Sequence, residues 1–321
     1  MSCNVYITRQ IPDEGISKLK EFCTTVEINQ NDRPLSYDEL LEKGRDKDGV
    51  LSMLSDRIDA RFIDEAKNLK VIANYAVGYD NIDIEAAKKR GIVVTNTPGV
   101  LTDSTADMAW ALLFAINRRI VEGDAITREG KFAGWGPLFL LGRDIVGKTL
   151  GIIGAGRIGT AMAMRSRGWC MKVLYHTRTS RNAVLEEMLN AERVDLETIL
   201  RESDFLSLHT PLTEKTRHLI GETEFSKMKS AAYLINTARG AVIDETALVD
   251  ALKNRQIAGA GLDVYEEEPR LKPGLAELDN VVLAPHLGSA TVETRSKMSV
   301  MAAESIIAVL NGQKPEQCVN P

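Results

Sequence analysis

The sequence lacks an apolar run long enough to cross a membrane. Its longest run of apolar residues covers residues 108–116, far short of the ~20 residues that a spanning helix requires. The N-terminal stretch MSCNVYITRQIPDEG has no basic segment followed by an apolar block, so no export signal is visible. We therefore expect a cytoplasmic protein without a membrane partner.

Cysteine is scarce, and so is surplus positive charge. The four cysteines, Cys3, Cys23, Cys170 and Cys318, have no metal-ligand spacing, so we expect reduced thiols and no metal site. The formal net charge is −5, whereas proteins that neutralise nucleic-acid phosphates need clustered surplus cations. The charge balance thus argues against a nucleic-acid partner.

Short β-branched runs alternate with amphipathic stretches along the chain, which is the pattern of parallel βα units. A length of 321 residues fits two domains rather than one small core. We predict an α/β protein with two Rossmann-like or flavodoxin-like domains built on parallel sheets. In the first third, the predicted strands are residues 5–8, 25–28, 50–53, 71–75 and 92–95, and the predicted helices are residues 15–22, 37–43 and 60–67.

A second series of βα units is predicted from Thr149 onward. Its further strands are residues 173–176, 205–208, 233–236, 259–263 and 281–284, and residues 292–310 form a last helix. Between the two series, one long helix is predicted from about Ser104 to Arg128. Its apolar segment 108–116 has no polar face and must be covered on all sides. Burial in the monomer and a subunit interface both explain this, and the apolar loop 134–141 favours a homodimer.

A glycine-rich turn, GIIGAGRIG, follows the apolar strand that begins at Thr149. Gly154, Gly156 and Gly159 come directly after the strand and before a helix, which is the context that a dinucleotide motif requires. Glycines let the backbone approach a pyrophosphate, and the helix N-terminus offers it unpaired N–H groups. The sequence therefore predicts a dinucleotide site.

The segment KVLYHTRTS lies where a dinucleotide-binding chain usually carries an acid for the adenosine ribose. Thr177, Arg178, Thr179 and Ser180 stand there instead. A guanidinium gives charge-assisted, bidentate hydrogen bonds to phosphate oxygens, and the hydroxyls add further donors. A solvated surface turn is the alternative, but we predict NADP as the preferred cofactor, with NAD possible.

The four histidines differ in their settings. His286 follows the apolar run VVLAP, so it lies at the end of a predicted strand, where open α/β sheets bind ligands. His176 and His209 end two other predicted strands, and His218 lies in the polar stretch EKTRH, which predicts a surface residue. Charged residues in NTARG and DVYEEEP follow two further strands at the same edge of the predicted sheet.

Five segments together resemble the D-isomer-specific 2-hydroxyacid dehydrogenases: NTPGVLTDSTAD, GKTLGIIGAGRIG, NTARGAVIDETALVDAL, GAGLDVYEEEP and VVLAPHLGSAT. The resemblance covers nearly the whole chain, and AVGYDNID, the WGP loop and YHTRTS are most similar to the branch of glyoxylate/hydroxypyruvate and 2-ketogluconate reductases. It implies a cofactor domain of residues 100–286 inserted into a substrate domain of residues 1–99 and 287–321, around an active-site cleft.

The resemblance assigns the chemistry to three residues. Arg239 is implied to hold the substrate carboxylate with two parallel hydrogen bonds, and His286 is implied to donate a proton to the carbonyl oxygen. Glu268 is implied to be the carboxylate partner that favours the protonated imidazole. Only its position before a proline distinguishes Glu268 from the adjacent Glu266 and Glu267.

The other implied site residues form three groups. The pyrophosphate turn consists of Gly154, Ala155, Gly156, Arg157, Ile158 and Gly159. The ribose and nicotinamide side takes Thr210, Thr237, Asp263 and Gly288, although Asp263 could instead cap a turn. The substrate is implied to contact Leu54, Val77, Gly78 and, from the neighbouring subunit, Trp135.

The implied activity is NADPH-dependent reduction of glyoxylate or hydroxypyruvate to the 2-hydroxy acid. Reduction of 2-ketogluconate or another 2-keto sugar acid stays open, because the AVGYD loop does not exclude a longer substrate. Formate oxidation fits less well, since that reaction needs no proton donor. A nucleotide-sensing corepressor is the alternative from another class. It is disfavoured because such proteins usually carry disordered tails or docking extensions, and we expect neither in this sequence.

Overall fold

A computed structural model describes residues 3–31, 33–178 and 181–321. The chain forms two compact units, which are Met1–Leu101 with Ala290–Pro321, and Thr102–Ser289. Within the described ranges, no helix is both long and apolar enough to cross a membrane. The same ranges contain no cluster of three or more histidine, cysteine or acidic side chains suited to a metal ion.

The first unit is built on a parallel sheet with the strand order β2-β1-β3-β4-β5. Its strands are β1 (Asn4–Ile7), β2 (Thr25–Ile28), β3 (Gly49–Ser52), β4 (Val71–Asn74) and β5 (Val93–Thr95). Its helices are α1 (Asp13–Phe22), α2 (Tyr37–Gly44), α3 (Ala60–Glu65), α4 (Ile84–Lys89) and the C-terminal α12 (Val292–Leu310). This strand order is flavodoxin-like, as predicted.

Both faces of this sheet are covered by helices, which explains why its central strands are buried and mostly apolar. All residues of β3 and β4 are buried. Helices α1 and α12 pack together so closely that the N–H of Gly15 donates to Ser299 Oγ at 3.2 Å. Phe62 and Ile63 of α3 belong to the apolar cluster on the helices α2 to α4. The alternating pattern of the sequence thus becomes a three-layered α/β unit.

The second unit is built on a parallel sheet with the order β12-β11-β10-β9-β6-β7-β8. Its strands are β6 (Thr149–Ile153), β7 (Lys172–His176), β8 (Glu192–Arg193), β9 (Phe205–Leu208), β10 (Tyr233–Asn236), β11 (Gly259–Leu262) and β12 (Val281–Leu283). Its helices are α5 (Thr102–Asn117), α6 (Ile120–Arg128), α7 (Arg157–Arg165), α8 (Ala183–Leu189), α9 (Leu196–Glu202), α10 (Glu222–Lys227) and α11 (Glu245–Lys253).

The strand order of this second sheet reverses at β6. The chain runs outward from β6 through β7 to β8, and then crosses back to β9 on the other side. Ligands of doubly wound sheets bind at such a reversal, beyond the carboxyl ends of the strands. The predicted α/β class with two parallel sheets is confirmed, and the glycine turn follows the strand at the reversal point.

The prediction of one helix from Ser104 to Arg128 is wrong, because α5 ends at Asn117 and α6 begins at Ile120. Arg119 lies between them in the left-handed region with φ 52°. Its guanidinium bonds the carboxylate of Glu122, in the first turn of the second helix, at 2.8 Å. Residues 120–128 are all described, and none of them is buried. The break therefore separates a core helix from a surface helix.

The apolar segment 108–116 is mostly accounted for within its own unit. Trp110, Leu112 and Leu113 are buried, and Trp110 packs on the rings of Phe114 and Trp169. Several apolar side chains that follow α5 are exposed instead, among them Phe132, Leu138 and Leu141, and Trp135 is 86% exposed. An exposed apolar surface of this kind is typical of an interaction site, and the homodimer stays a prediction.

Candidate active site

The structure brings His286 and Glu268 together beyond the carboxyl end of β12. His286 Nδ1 lies 2.9 Å from Glu268 Oε2. Since an ionised carboxylate only accepts hydrogen bonds, Nδ1–H is the donor and Nε2 faces away from this contact. The two side chains are 33% and 37% exposed, so the pair is accessible to a ligand.

Charge interactions keep Glu268 ionised. Burial acts to raise the pKa of the Glu268 carboxyl, but the hydrogen bond and charge of His286 outweigh it and hold the pKa below its ordinary value. The backbone N–H of Tyr265, at 3.0 Å from Oε1, and the charge of Arg239 act in the same direction. An anion therefore stands beside the His286 ring at neutral pH, with Arg239 close enough to influence it.

Asp263, at the end of β11, holds the turn that carries His286. Its oxygens accept the N–H groups of Leu287 at 2.6 Å and Gly288 at 2.7 Å, and its own carbonyl accepts the N–H of His286 at 2.9 Å. Burial raises the pKa of the Asp263 carboxyl, and the two backbone hydrogen bonds oppose this. Asp263 therefore caps the turn, while the cofactor roles of Asp263 and Gly288 stay predictions.

Arg239 follows β10 in a turn shaped by Asn236. The Asn236 side chain donates to the carbonyl of Arg239 at 3.0 Å and accepts the N–H of Ala238 at 3.0 Å. Arg239 itself is half-buried and donates from Nη1 to the Ala238 carbonyl at 2.9 Å. Asn236 is a positioning residue that the sequence analysis missed, although an asparagine at the start of a turn is a common turn signal.

The glycine turn after β6 has the geometry of a phosphate-binding turn. Gly154 has φ 96°, and a Cβ there would lie 2.7 Å from the His209 carbonyl, so only glycine fits. Gly156 precedes the first residue of α7, and no atom lies within 4 Å of its ideal Cβ position. The N-terminus of α7, with Arg157 and Ile158 in its first turn, is thus open to an anion.

Two hydroxyls at the carboxyl ends of β9 and β10 have no hydrogen-bond partner among the described residues. They are Thr210 Oγ1, after β9, and Thr237 Oγ1, after β10, and both atoms are buried. Buried hydroxyls are normally satisfied, so an orphan pair at the carboxyl ends of neighbouring strands suits a bound polar ligand. These atoms and the open glycine turn fit a dinucleotide.

His209 is unsuited to proton donation. Burial lowers the pKa of its imidazole to about 3, so the ring is neutral at physiological pH. Its Nε2 lies 2.9 Å from Ser207 Oγ, so this ring nitrogen already has a hydrogen-bond partner within the protein. Of the histidines that end strands, His286 therefore has the more suitable surroundings for acid–base chemistry.

The loop after β7 contains a cation that is available to a ligand. Arg178 is exposed and has no ion pair within residues 3–31, 33–178 and 181–321. Arg181, by contrast, bonds the Glu186 carboxylate at 2.6 Å and 3.0 Å. Arg193 donates to the Thr177 carbonyl at 2.9 Å and adds a second positive charge nearby. The predicted Thr179 and Ser180 lie outside the described residues.

Asn182 ties this loop to the glycine turn, and the sequence analysis missed it. Its side chain donates to the Ala155 carbonyl at 3.0 Å and to Thr160 Oγ1 at 2.7 Å. It also caps α8 by accepting the N–H of Leu185 at 3.1 Å. The capping role could be read from the sequence, whereas the contact with the glycine turn joins residues far apart in the chain.

The predicted substrate residues Leu54, Val77 and Gly78 lie in the first unit. Leu54 is half-buried after β3. The carbonyls of Val77 and Gly78 accept side-chain amides of Asn96 and Asn74, both at 2.8 Å. The N–H groups of Val77 and Gly78 have no partner in the described part of the chain. This turn therefore presents backbone donors that suit a carboxylate.

A parallel sheet with a reversed strand order and a glycine turn at the reversal defines a dinucleotide-binding α/β protein. Residues 110–288 match the family model described as "D-isomer specific 2-hydroxyacid dehydrogenase, NAD binding domain". The chain belongs to the D-isomer specific 2-hydroxyacid dehydrogenase family. The resemblance drawn from the sequence motifs is thereby confirmed.

Similar proteins agree with this assignment. A glyoxylate reductase from Thermococcus litoralis is 53% identical over 324 aligned positions, which cover 100% of this chain and 97% of that protein. A solved glyoxylate reductase from Paecilomyes thermophila has a TM-score of 0.87 and 34% identity, covering 99% of this chain and 98% of that one. An NADPH-dependent glyoxylate/hydroxypyruvate reductase from Sinorhizobium meliloti has a TM-score of 0.86 and 33% identity, with 99% and 97% covered.

Proposed function

We propose that this protein is an enzyme that reduces a small 2-oxo acid, glyoxylate or hydroxypyruvate, with NADPH. The observation that carries the proposal is the His286–Glu268 contact of 2.9 Å, in the unit that contains the glycine turn. Relatives named glyoxylate reductases, at about half identity over the whole chain, support the substrate class. In this proposal Thr102–Ser289 is the cofactor domain and the other unit is the substrate domain.

The nicotinamide, when bound, supplies the hydride that reaches the carbonyl carbon. His286 would donate its Nε2 proton to the carbonyl oxygen as negative charge develops there. Glu268 accepts the Nδ1–H hydrogen bond and orients the ring, so the proton to be transferred is on the outward nitrogen, Nε2. Thr210 and Thr237 would bind the cofactor through their orphan hydroxyls.

The substrate carboxylate has two sets of donors in this proposal. Arg239 would bind it in a bidentate manner, and the N–H groups of Val77 and Gly78 are the other proposed donors. Asn74 and Asn96 would act through these amides, because their bonds to the carbonyls fix the orientation of the peptide planes. Holding the acid at two points fixes the carbonyl for the reaction.

The direct test is a kinetic panel of 2-oxo acids with NADPH. We expect the purified protein to oxidise NADPH with glyoxylate or hydroxypyruvate, and to use 2-ketogluconate less efficiently by kcat/KM. A higher kcat/KM for 2-ketogluconate would replace the proposed substrate with the longer sugar acid. No turnover with any 2-oxo acid, combined with nucleotide-dependent capture of a partner protein, would favour the corepressor alternative.

Arg178→Ala is expected to raise the Michaelis constant for NADPH by about 10- to 100-fold and to leave that for NADH nearly unchanged. The reason is the loss of a charge-assisted contact to the 2′-phosphate, about 1.5–3 kcal/mol. Titration of the free enzyme with each nucleotide should give the same ratio of dissociation constants.

Arg181→Ala is the matched control, because Arg181 is bound to Glu186 and exposed on the same loop. It should change neither nucleotide constant by more than a few-fold. Equal effects of Arg178→Ala on NADPH and NADH would show that the Arg178 side chain does not contact the 2′-phosphate.

The homodimer belongs to the same proposal. Trp135, Leu138 and Leu141 are exposed on a loop of the second unit, where they would be available to a partner subunit. A tryptophan that is exposed over most of its surface gains more by burial than most side chains do. Trp135 would then contribute to the neighbouring subunit's substrate site.

A further inference from the structure

The structure contains a second histidine–glutamate pair, formed by His218 and Glu266. Glu266 lies two residues before Glu268, on the same loop. His218 Nε2 lies 2.7 Å from Glu266 Oε1. The Glu266 side chain is only 14% exposed, whereas that of His218 is 41% exposed. Sequence reasoning treated His218 as a surface residue and Glu266 as an acid without a role, so nothing yet explains this contact.

The backbone of His218 is joined to the turn of residues 236–241, which we call the Arg239 turn. Its N–H donates to the carbonyl of Ala241 at 2.8 Å, and Ile220 pairs with Ile243 in a parallel bridge. His218 also has φ 51°, in the left-handed region that a residue with a side chain rarely adopts. Such a conformation persists where the surrounding contacts impose it. His218 is thus fixed in place rather than solvated at random.

The backbone of Glu266 is fixed from the same side. Its N–H donates to Glu245 Oε1 at 2.8 Å, and Glu245 is buried in the first turn of α11. A Cβ on Gly240 would lie 1.8 Å from the Tyr265 carbonyl carbon, so the Arg239 turn and this loop are in direct backbone contact. The loop of residues 263–269 therefore rests on the Arg239 turn.

The loop passes this constraint on to the candidate proton donor. Tyr265 donates its N–H to Glu268 Oε1 at 3.0 Å and its hydroxyl to the Ala284 carbonyl at 2.8 Å. Glu268 in turn holds His286. The chain of contacts thus runs from the Arg239 turn through His218 and Glu266 to the Glu268–His286 pair.

We propose that His218 and Glu266 are positioning residues, which clamp the loop of residues 263–269 to the Arg239 turn and so set the Glu268 carboxylate against the His286 ring. The proposal rests on the proposed function for its kinetic consequences only. It predicts that loss of the clamp slows the chemical step far more than it weakens nucleotide binding, because the glycine turn that would hold the pyrophosphate is not part of the contact network.

Other charges near Glu266 do not replace the clamp. Lys272 Nζ lies 3.5 Å from Glu266 Oε2 and 3.3 Å from Glu267 Oε1, so it is shared between two acids. It belongs to the segment after Pro269 and forms no hydrogen bond or ion pair with the Arg239 turn in the described part of the chain. Only His218 joins the two segments among the described partners of the Glu266 carboxylate.

The test compares His218→Leu, which removes the N–H donor, with His218→Gln, which keeps one. His218→Leu is expected to lower kcat for glyoxylate by about tenfold, because a small displacement of a catalytic group is enough for such a loss. The dissociation constant for NADPH should stay within about twofold, and His218→Gln should recover most of kcat. An unchanged kcat in His218→Leu would overturn the proposal.

A double-mutant cycle with Glu266→Ala tests the partnership. If the two residues act only through their mutual contact, the double variant loses no more kcat than the more impaired single variant. Independent losses that multiply in the double variant would show that the residues do not form one clamp, and would overturn the proposal.

Arg255→Leu is the matched control for a general loss of stability. Arg255 lies in the same unit, has φ 53° and bonds Asp279 at 2.7 Å, which matches the backbone and bond length of His218. It forms no hydrogen bond or ion pair with the loop of residues 263–269 within the described ranges. The kcat of Arg255→Leu should equal that of the wild type. A fall in kcat as large as that of His218→Leu would contradict the clamp.

The ring resonance of His286, assigned by its loss in His286→Asn, tests the geometry without any turnover. It should move in His218→Leu and keep its position in Arg255→Leu at the same pH. An unmoved resonance in His218→Leu overturns the clamp. If the wild type reduces no 2-oxo acid, the proposed function fails, and this resonance still decides whether the clamp positions His286.

Discussion

His286→Asn is expected to lower kcat with glyoxylate by about 10³-fold, since general acid catalysis contributes 10²- to 10⁴-fold. Asparagine is the informative replacement, because its side-chain amide can occupy the place of Nδ1–H and keep the contact with Glu268. It has no counterpart of the outward nitrogen and cannot donate a titratable proton there. The variant thus removes the proton donor and preserves the local packing.

Steady-state kinetics and nucleotide titration together check this expectation. The dissociation constant for NADPH should stay within about twofold of the wild type, and the midpoint of thermal unfolding should be unchanged within a few degrees. A kcat within tenfold of the wild type would show that another group or a water molecule supplies the proton. A large loss of NADPH binding would instead show that the His286 ring supports the cofactor site.

The architecture could be predicted because local patterns report it directly. The strands Val71–Asn74 and Phe205–Leu208 are buried along their whole length and mostly apolar, as parallel sheets covered on both faces require. The last helix, Val292–Leu310, begins after the capping residue Thr291 and ends before Asn311, as such signals indicate. Strand β8 was missed, because Glu192–Arg193 is short and exposed.

The break between α5 and α6 could not be predicted from local sequence. No glycine or proline marks it, and residues 117–120 are ordinary in a helix. The Asn117 side chain donates to the Arg143 carbonyl at 2.8 Å, and a Cβ on Gly142 would lie 2.3 Å from the Asn117 carbonyl oxygen. A segment some 25 residues further along the chain is therefore packed on the end of α5. Tertiary contacts of this kind override helix propensity.

The residues of the candidate site differ in the same way in how far the sequence predicts them. The Glu268–His286 contact joins residues 18 apart, and the motif resemblance alone predicts it. The contacts of Asn182 and His218 were missed, because an asparagine before a helix and a histidine among charges both have ordinary local explanations. Their partners, Ala155 and Glu266, lie 27 and 48 residues away. Local pattern identifies groups that carry chemistry better than groups that position them.

Arg239→Gln is expected to lower kcat/KM for glyoxylate by about 10²- to 10³-fold, through loss of a paired carboxylate contact of about 3–4 kcal/mol. Arg239→Lys keeps the charge without the planar pair of donors, so its kcat/KM should fall between those of Gln and wild type. The dissociation constant for NADPH should change little in either variant, because the glycine turn and the loop after β7 are separate from this side chain.

A short aldehyde without a carboxylate separates carboxylate binding from a general defect. The wild type should reduce such an aldehyde poorly, and Arg239→Gln should reduce it equally poorly, since the lost contact is absent from this substrate. The penalty of the substitution would then appear with glyoxylate alone. An equal fall in kcat/KM for the aldehyde and for glyoxylate would show instead that Arg239 acts through Glu268, whose pKa it helps to lower, and not on the substrate carboxylate.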